Sequence, residues 1–202
     1  MSEAAGFQPS FEIRTVAVIG AGVAGRSFAL ACAAAGFDVV LEDVMPANLR
    51  KAEADYADLT QRGALGAVGI AGQLKLALTV EDAVREADVA VDFVPDELES
   101  KLEIFSMIDR MAPPKTILCT PSYALSITDL ASCVYRPERC VAVRGDLVRG
   151  SANVSPLVRV LYPSAATQEM LAAVSGFLRR LGIEVQPEAD PDVPELMKNA
   201  AV

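Results

Sequence analysis

At 202 residues, with 52 % hydrophobic and 22 % charged side chains, the chain can bury a sizeable core and lacks the composition of a disordered protein. A net charge of −9 at neutral pH disfavours nucleic acid or an anionic membrane surface as a partner. Histidine is absent altogether, which removes the commonest general base and the commonest metal ligand together, so no metal is expected.

Residues 1–12 form a polar lead without periodicity, expected as a flexible tail; having neither a basic nor an apolar stretch, it does not read as a secretory signal. Arg14–Ile19 is a short β-branched run that stops at glycine, the pattern of a buried parallel strand. Val23–Ala35 carries apolar residues at helical spacing, with Gly36 as its stop. Asp38–Leu41 is a second strand leading into Glu42 and Asp43, a helix is expected over 47–61, and the glycine-rich residues 62–73 read as a loop. Leu74–Thr79 is a third strand, Val80–Glu86 a short helix, and Asp88–Val94 a fourth strand. Asp96 followed by Glu99 is a capping-box pattern with Asp96 as N-cap, opening a helix that runs to Met111 and stops before Pro113 and Pro114.

Thr116–Cys119 is a fifth strand, and Ser126 with Asp129 is a second capping box on a short helix. Cys140–Val143 and Ser155–Tyr162 are further strands, Ala166–Leu181 is a helix stopped by Gly182, and Ile183–Gln186 is the last strand. From Pro187 a proline- and acid-rich linker is expected, with Glu195–Ala201 starting a helix. No apolar run approaches the ~18 residues of a membrane span, so a cytoplasmic chain is expected. The four cysteines, Cys32, Cys119, Cys133 and Cys140, show no Cys-x-x-Cys spacing and are expected as small buried hydrophobes of a reducing compartment. Alternation of strand and helix is the signature of a doubly wound, mainly parallel α/β sheet. It is taken as a single domain over 13–187, between a tail at 1–12 and a linker with a truncated helical segment at 188–202.

Gly20-Ala21-Gly22-Val23-Ala24-Gly25 is a G-x-G-x-x-G pattern that directly follows a buried strand and opens a helix. In a Rossmann-type fold the first glycine makes the tight turn, the second lets backbone approach a pyrophosphate, and the third lets helix and strand pack closely. Alone the pattern is weak. Asp43 strengthens it: it stands at the end of the second strand, where a carboxylate accepts hydrogen bonds from the adenosine ribose and repels a 2′-phosphate. The neighbours Glu42 and Val44 supply no cation, so NAD is expected rather than NADP.

With these residues in place, the stretch RTVAVIGAGVAGRSFALACAAAGFDVVLEDV resembles the opening of 3-hydroxyacyl-CoA dehydrogenases, as do 87–118 and 125–143. The resemblance covers residues 14 to 186 and implies NAD-dependent oxidation of a 3-hydroxyacyl-CoA or a similar hydroxy acid. It places Asp96 and Lys101, with Val94 at the end of the fourth strand, against the cofactor. The residues themselves equally allow a helix cap at Asp96 and an exposed lysine at 101.

The resemblance also implies a histidine base after the sixth strand, held by a glutamate, with an asparagine and serines nearby. This sequence has Arg144, Arg159, Leu147 and Tyr123-Ala124 at those places. An arginine stays protonated and cannot accept the alcohol proton, so no catalytic residue is assigned. Arg144 and Arg159 read either as ordinary arginines at strand ends or as an anion-binding pocket. Lys198 reads as a solvated lysine, or as a general acid in a longer relative. A non-catalytic NAD-binding module and a divergent dehydrogenase with an anionic substrate therefore stand beside the family activity. The helical domain implied by the family would cover apolar surface, so a homodimer or a partner subunit is expected.

Overall fold

The computed structural model describes residues 11–65, 71–147 and 157–191. The expectations for the tail up to residue 10, for part of the glycine-rich loop, for the start of the Ser155–Tyr162 strand and for the segment containing Lys198 lie outside those residues. In chain order the elements are β1 (Thr15–Ile19), α1 (Val23–Ala34), β2 (Asp38–Glu42), α2 (Pro46–Gln61), β3 (Leu74–Ala77), α3 (Val80–Val84), β4 (Val89–Asp92) and α4 (Leu98–Met111). They continue with β5 (Ile117–Pro121), α5 (Ile127–Ala131), a 3-10 turn at Pro137–Arg139, β6 (Cys140–Arg144), β7 (Leu157–Tyr162), α6 (Gln168–Arg180) and β8 (Glu184–Ala189).

The eight strands form one sheet in the order β3-β2-β1-β4-β5-β6-β7-β8. Six strands run parallel, β7 pairs antiparallel with β6, and β8 follows β7 in parallel. This is the doubly wound, mainly parallel architecture read from the sequence. Its central strands are apolar on both sides because helices cover both faces. Val16, Val18, Leu41 and Val91 pack under α1 and α6 with Phe28 and Phe177, whose rings meet edge to face at 6.2 Å. Ala17, Ile19, Ala90, Leu118 and Ala142 pack under α3, α4 and α5 on the other face. Each fully buried phenylalanine of that core contributes ~1.5–3 kcal/mol by burial.

Strand order reverses between β1 and β4, where α1 leaves on one face and α4 on the other. A crevice opens at such a switch point, beyond the carboxyl ends of the strands.

Several boundaries differ from the sequence expectations, each for a local reason. β3 stops at Ala77 because Thr79 turns to cap α3, accepting the amide of Asp82. β4 stops at Asp92, and Phe93 and Val94 turn into the crevice. The N-cap of α4 is Glu97, not Asp96, whose carboxylate instead accepts the amide of Tyr123 at 2.9 Å. β8 continues through Pro187 to Ala189, where a linker was expected; it is the sheet's edge strand, and a proline there forfeits no outward ladder bond. Cys32, Cys119 and Cys140 are buried, but Cys133 is exposed in the surface loop between α5 and the 3-10 turn, correcting the expectation for that residue. Among the described residues no helix is long and apolar enough to cross a membrane.

Candidate functional site

The glycine turn links β1 to α1 at the mouth of the crevice, and its three glycines have three separate reasons. Gly20 lies at φ +97, a left-handed conformation that side chains rarely adopt, and lets the chain reverse from strand to helix. A Cβ at Gly25 would stand 1.9 Å from the carbonyl oxygen of Gly20, so helix and strand could not approach as they do. Gly22 is the N-cap of α1, with ordinary extended backbone and no side-chain cap, and a Cβ there would meet nothing within 4 Å. The first amides of a helix N-terminus carry partial positive charge and suit an anion.

Asp43 is buried just beyond the end of β2 and faces this turn. Its Oδ2 accepts the Ala21 amide at 2.8 Å and the Asn48 side-chain amide at 3.1 Å, while Oδ1 accepts the Met45 amide at 2.7 Å. A carboxylate offers about four acceptor directions. Three are engaged, which leaves one, on Oδ1. Asp43 therefore has a structural duty that its sequence position did not reveal: it ties the glycine turn and the start of α2 to the end of β2.

A cavity of about 570 Å³ extends from the turn. Gly20, Gly22, Asp43, Asn48, Val94 and Met107 are among its walls, and so is Glu42, which the sequence analysis passed over. Glu42 is 4 % exposed. Burial pushes its carboxyl above the ordinary range, the Asp43 carboxylate adds to this, and the Gly20 amide draws it back.

A second cavity of about 470 Å³ lies on the other side of Phe93, which lines both. Val23, Ala24, Pro121, Tyr123 and Leu147 give it a mainly apolar wall, with Ser27 and Asp146 as its polar members. Residues on either side of the turn thus belong to different halves of one crevice.

Asp96 and Lys101 line neither cavity. Burial raises the Asp96 carboxyl, but the Ser122 hydroxyl, the Tyr123 amide and Lys101 outweigh it and hold it below the usual range. Lys101 is not the exposed lysine that the sequence allowed: it is 1 % exposed and its Nζ stands 2.6 Å from Asp92 Oδ1. The pair joins the first turns of α4 to the end of β4, directly before Phe93. Burial still keeps the Asp92 carboxyl above its ordinary value, against the pull of Lys101 and Thr120.

Arg144 ends β6 half-buried, with Nε enclosed and without a hydrogen-bond partner among the described residues, so it is no ordinary surface arginine. Its register partner across the antiparallel pair is Arg159, whose guanidinium meets Glu188 at 3.3 Å. Neither arginine lines the second cavity, whereas Tyr123 and Leu147 do.

Residues 15–186 match the family described as 3-hydroxyacyl-CoA dehydrogenase, NAD binding domain. A probable 3-hydroxybutyryl-CoA dehydrogenase of Bacillus subtilis (strain 168) is 29 % identical over 178 residues, which is 85 % of this chain and 61 % of that protein. The crystal structure of 3-hydroxybutyryl-CoA dehydrogenase from Escherichia coli K12 superposes with a TM-score of 0.74 at 25 % identity, over 89 % of this chain and 39 % of that one. A 5-formyl-3-hydroxy-2-methylpyridine 4-carboxylic acid 5-dehydrogenase, described as an NAD+ dependent dismutase, superposes with a TM-score of 0.73 at 25 % identity, over 93 % of this chain and 61 % of that one. The chain spans about three fifths of the length of the Bacillus relative.

Proposed function

Because the chain belongs to the 3-hydroxyacyl-CoA dehydrogenase family through its NAD-binding domain, we propose that it binds NAD across the two cavities and lacks the base with which such a dehydrogenase takes the alcohol proton. The observation that carries the first half is Gly22, where a Cβ would project into open space at the N-terminus of α1, beside the Asp43 carboxylate. The amides of Val23, Ala24 and Gly25 receive the pyrophosphate, since Ala21's amide is already held by Asp43. The free acceptor direction of Asp43 Oδ1 takes a ribose hydroxyl, and its charge disfavours a 2′-phosphate.

The adenosine half occupies the cavity beside Val94 and Met107, and the nicotinamide end reaches toward Phe93, Pro121 and Tyr123. Asp96 and Lys101 serve this site from behind, by holding the Tyr123 amide and the end of β4. NAD, when bound, supplies a hydride acceptor. An acyl thioester is the substrate class suited to the apolar second cavity, but the Arg144 guanidinium cannot take its proton.

Calorimetry on the full chain tests the first half. NAD binds more tightly than NADP, and Gly22→Val abolishes binding without lowering the melting temperature, because the new side chain fills only the open approach. Retained affinity in a folded Gly22→Val protein would place the dinucleotide elsewhere. Steady-state assay of acetoacetyl-CoA with NADH tests the second half. General-base help is worth ~10²–10⁴ in rate, so turnover stays far below the ~10 s⁻¹ of an ordinary enzyme. A rate at that level would overturn the assignment of Arg144.

A further inference from the structure

Reduction changes the charge of a nicotinamide dinucleotide at one place, the nicotinamide ring. The ring is a pyridinium cation in NAD and a neutral dihydropyridine in NADH, while adenine, both riboses and the pyrophosphate stay the same. Only the half of the crevice that receives the ring can therefore tell the two apart. The second cavity brings the rings of Phe93 and Tyr123 to one space, with Asp146 as the single charged side chain in its lining. Among the described residues no lysine or arginine lines it.

The two nearby arginines are carried away from this space by the alternation of the strands. On β6, Val141 and Val143 pack under α1 and α6, whereas Cys140 and Ala142 pack on the opposite face. Arg144 follows in the second set, while Val23, Ala24 and Ser27 bring the cavity to the α1 face. Its register partner Arg159 shares the far face with Leu161 and is paired to Glu188. Asp146 thus keeps its charge in the cavity without a cation beside it in the lining. The Phe93 ring is held in place against the fully buried Phe28, with centroids 5.3 Å apart, and the Tyr123 amide is held by Asp96.

Resting on the NAD site proposed above, we infer that the second cavity selects the oxidation state of the cofactor, binding the pyridinium ring of NAD in preference to the neutral ring of NADH. The electron-rich faces of Phe93 and Tyr123 attract a cation, and more strongly where water is displaced. Asp146 adds a direct attraction, a smaller one because its exposed carboxylate is screened by solvent. A neutral dihydropyridine keeps the apolar contacts with Val23, Pro121 and Leu147 and loses both attractions. Occupancy of the site then follows the oxidised cofactor, and with no base to turn that cofactor over, the bound state persists as a record of it.

The test is calorimetry on the full chain with NAD, NADH and ADP-ribose, which lacks the nicotinamide ring and reads the rest of the site. The native chain prefers NAD to NADH by about fivefold or more, the value of cation–aromatic contact at a partly desolvated site. Tyr123→Leu lowers that ratio by about threefold, since an apolar contact remains without the aromatic face. Asp146→Asn lowers it by about twofold, and Asp146→Lys, which sets a cation against the pyridinium, brings it to about one or below. Tyr123 and Asp146 are exposed, so these variants keep the fold, and their affinity for ADP-ribose changes less than their affinity for NAD. Equal affinity of the native chain for NAD and NADH, tighter binding of NADH, or a ratio unmoved in Tyr123→Leu and Asp146→Lys would overturn the selection and leave the NAD site standing. Failure of the native chain to bind any of the three would overturn the NAD site and this inference with it.

Discussion

The two halves of the crevice are built from the same sheet and share Phe93 as a wall, yet they differ in how their polar groups are used. At the Asp43 end, the carboxylate is fixed by three hydrogen bonds and stands beside the open N-terminus of α1, an arrangement set before any ligand arrives. At the far end, the cavity is mostly apolar, and the guanidinium at the end of β6 lies outside its lining. Recognition of a dinucleotide needs backbone amides, one acid and close packing, all of which this chain has. Base catalysis needs a titratable group within reach of the reacting atom, and Arg144 is not one. On the function proposed above, the fold keeps its binding half while its chemical half diverges.

The largest effect should come from removing the close approach that makes the glycine turn possible. In Gly25→Val the new Cβ would collide with backbone at Gly20, which cannot move without separating α1 from β1. Circular dichroism should show loss of the cooperative fold; a native-like melt would mean that the turn is far more pliable than its geometry implies.

Next comes the partition between the halves. Lys101→Met strands the Asp92 carboxylate in the core and should cost ~3–5 kcal/mol at neutral pH. The sign with pH follows from the direction of the shift. The Asp92 carboxyl is raised by burial, and more so without Lys101, so the variant loses stability as pH rises above the ordinary carboxylate value of 3.8. Denaturant melts should therefore show the penalty shrinking between neutrality and about pH 4. A penalty independent of pH would show that lost packing, not the stranded charge, is responsible.

A smaller effect sharpens the Asp43 end itself. Asp43→Ala leaves the Ala21 and Met45 amides without their acceptor, at ~1–3 kcal/mol of stability. It should also weaken NAD and narrow its advantage over NADP, as calorimetry with both would show. A gap that persists would move cofactor selection from Asp43 to another group. The smallest change is expected at the far end. Arg144→His places an imidazole at the end of β6, but its register neighbour is still Arg159 rather than a carboxylate. Turnover of acetoacetyl-CoA should rise by less than about tenfold, a fraction of what a positioned base supplies. Recovery of the full ~10²–10⁴ would show that this one substitution accounts for the divergence.

Local signals in the sequence determined a good deal. A β-branched run ending at Gly20, apolar residues at helical spacing in α1, and Asp43 after the second strand specify strand, turn, helix and acid without any knowledge of distant contacts. The alternation of such units was enough for the doubly wound class, because each strand–helix unit is legible over a short window. Tertiary structure alone decided which side chains those elements turn inward. Lys101 has the same chemistry as any helix-surface lysine in the sequence, and only the position of β4 beneath α4 makes it a buried partner of Asp92. Asp96 carries a capping pattern, but Tyr123, 27 residues away, supplies the amide its carboxylate takes, and Glu97 becomes the N-cap. Glu42 looks like a strand-end acid until α3 and α4 close over its face and leave it in a cavity wall. Periodicity and spacing report the backbone's local geometry, whereas burial and pairing depend on elements far apart in the chain. That is why the glycine turn was readable from residues 20–25, and the surroundings of Glu42, Asp43, Asp96 and Lys101 were not.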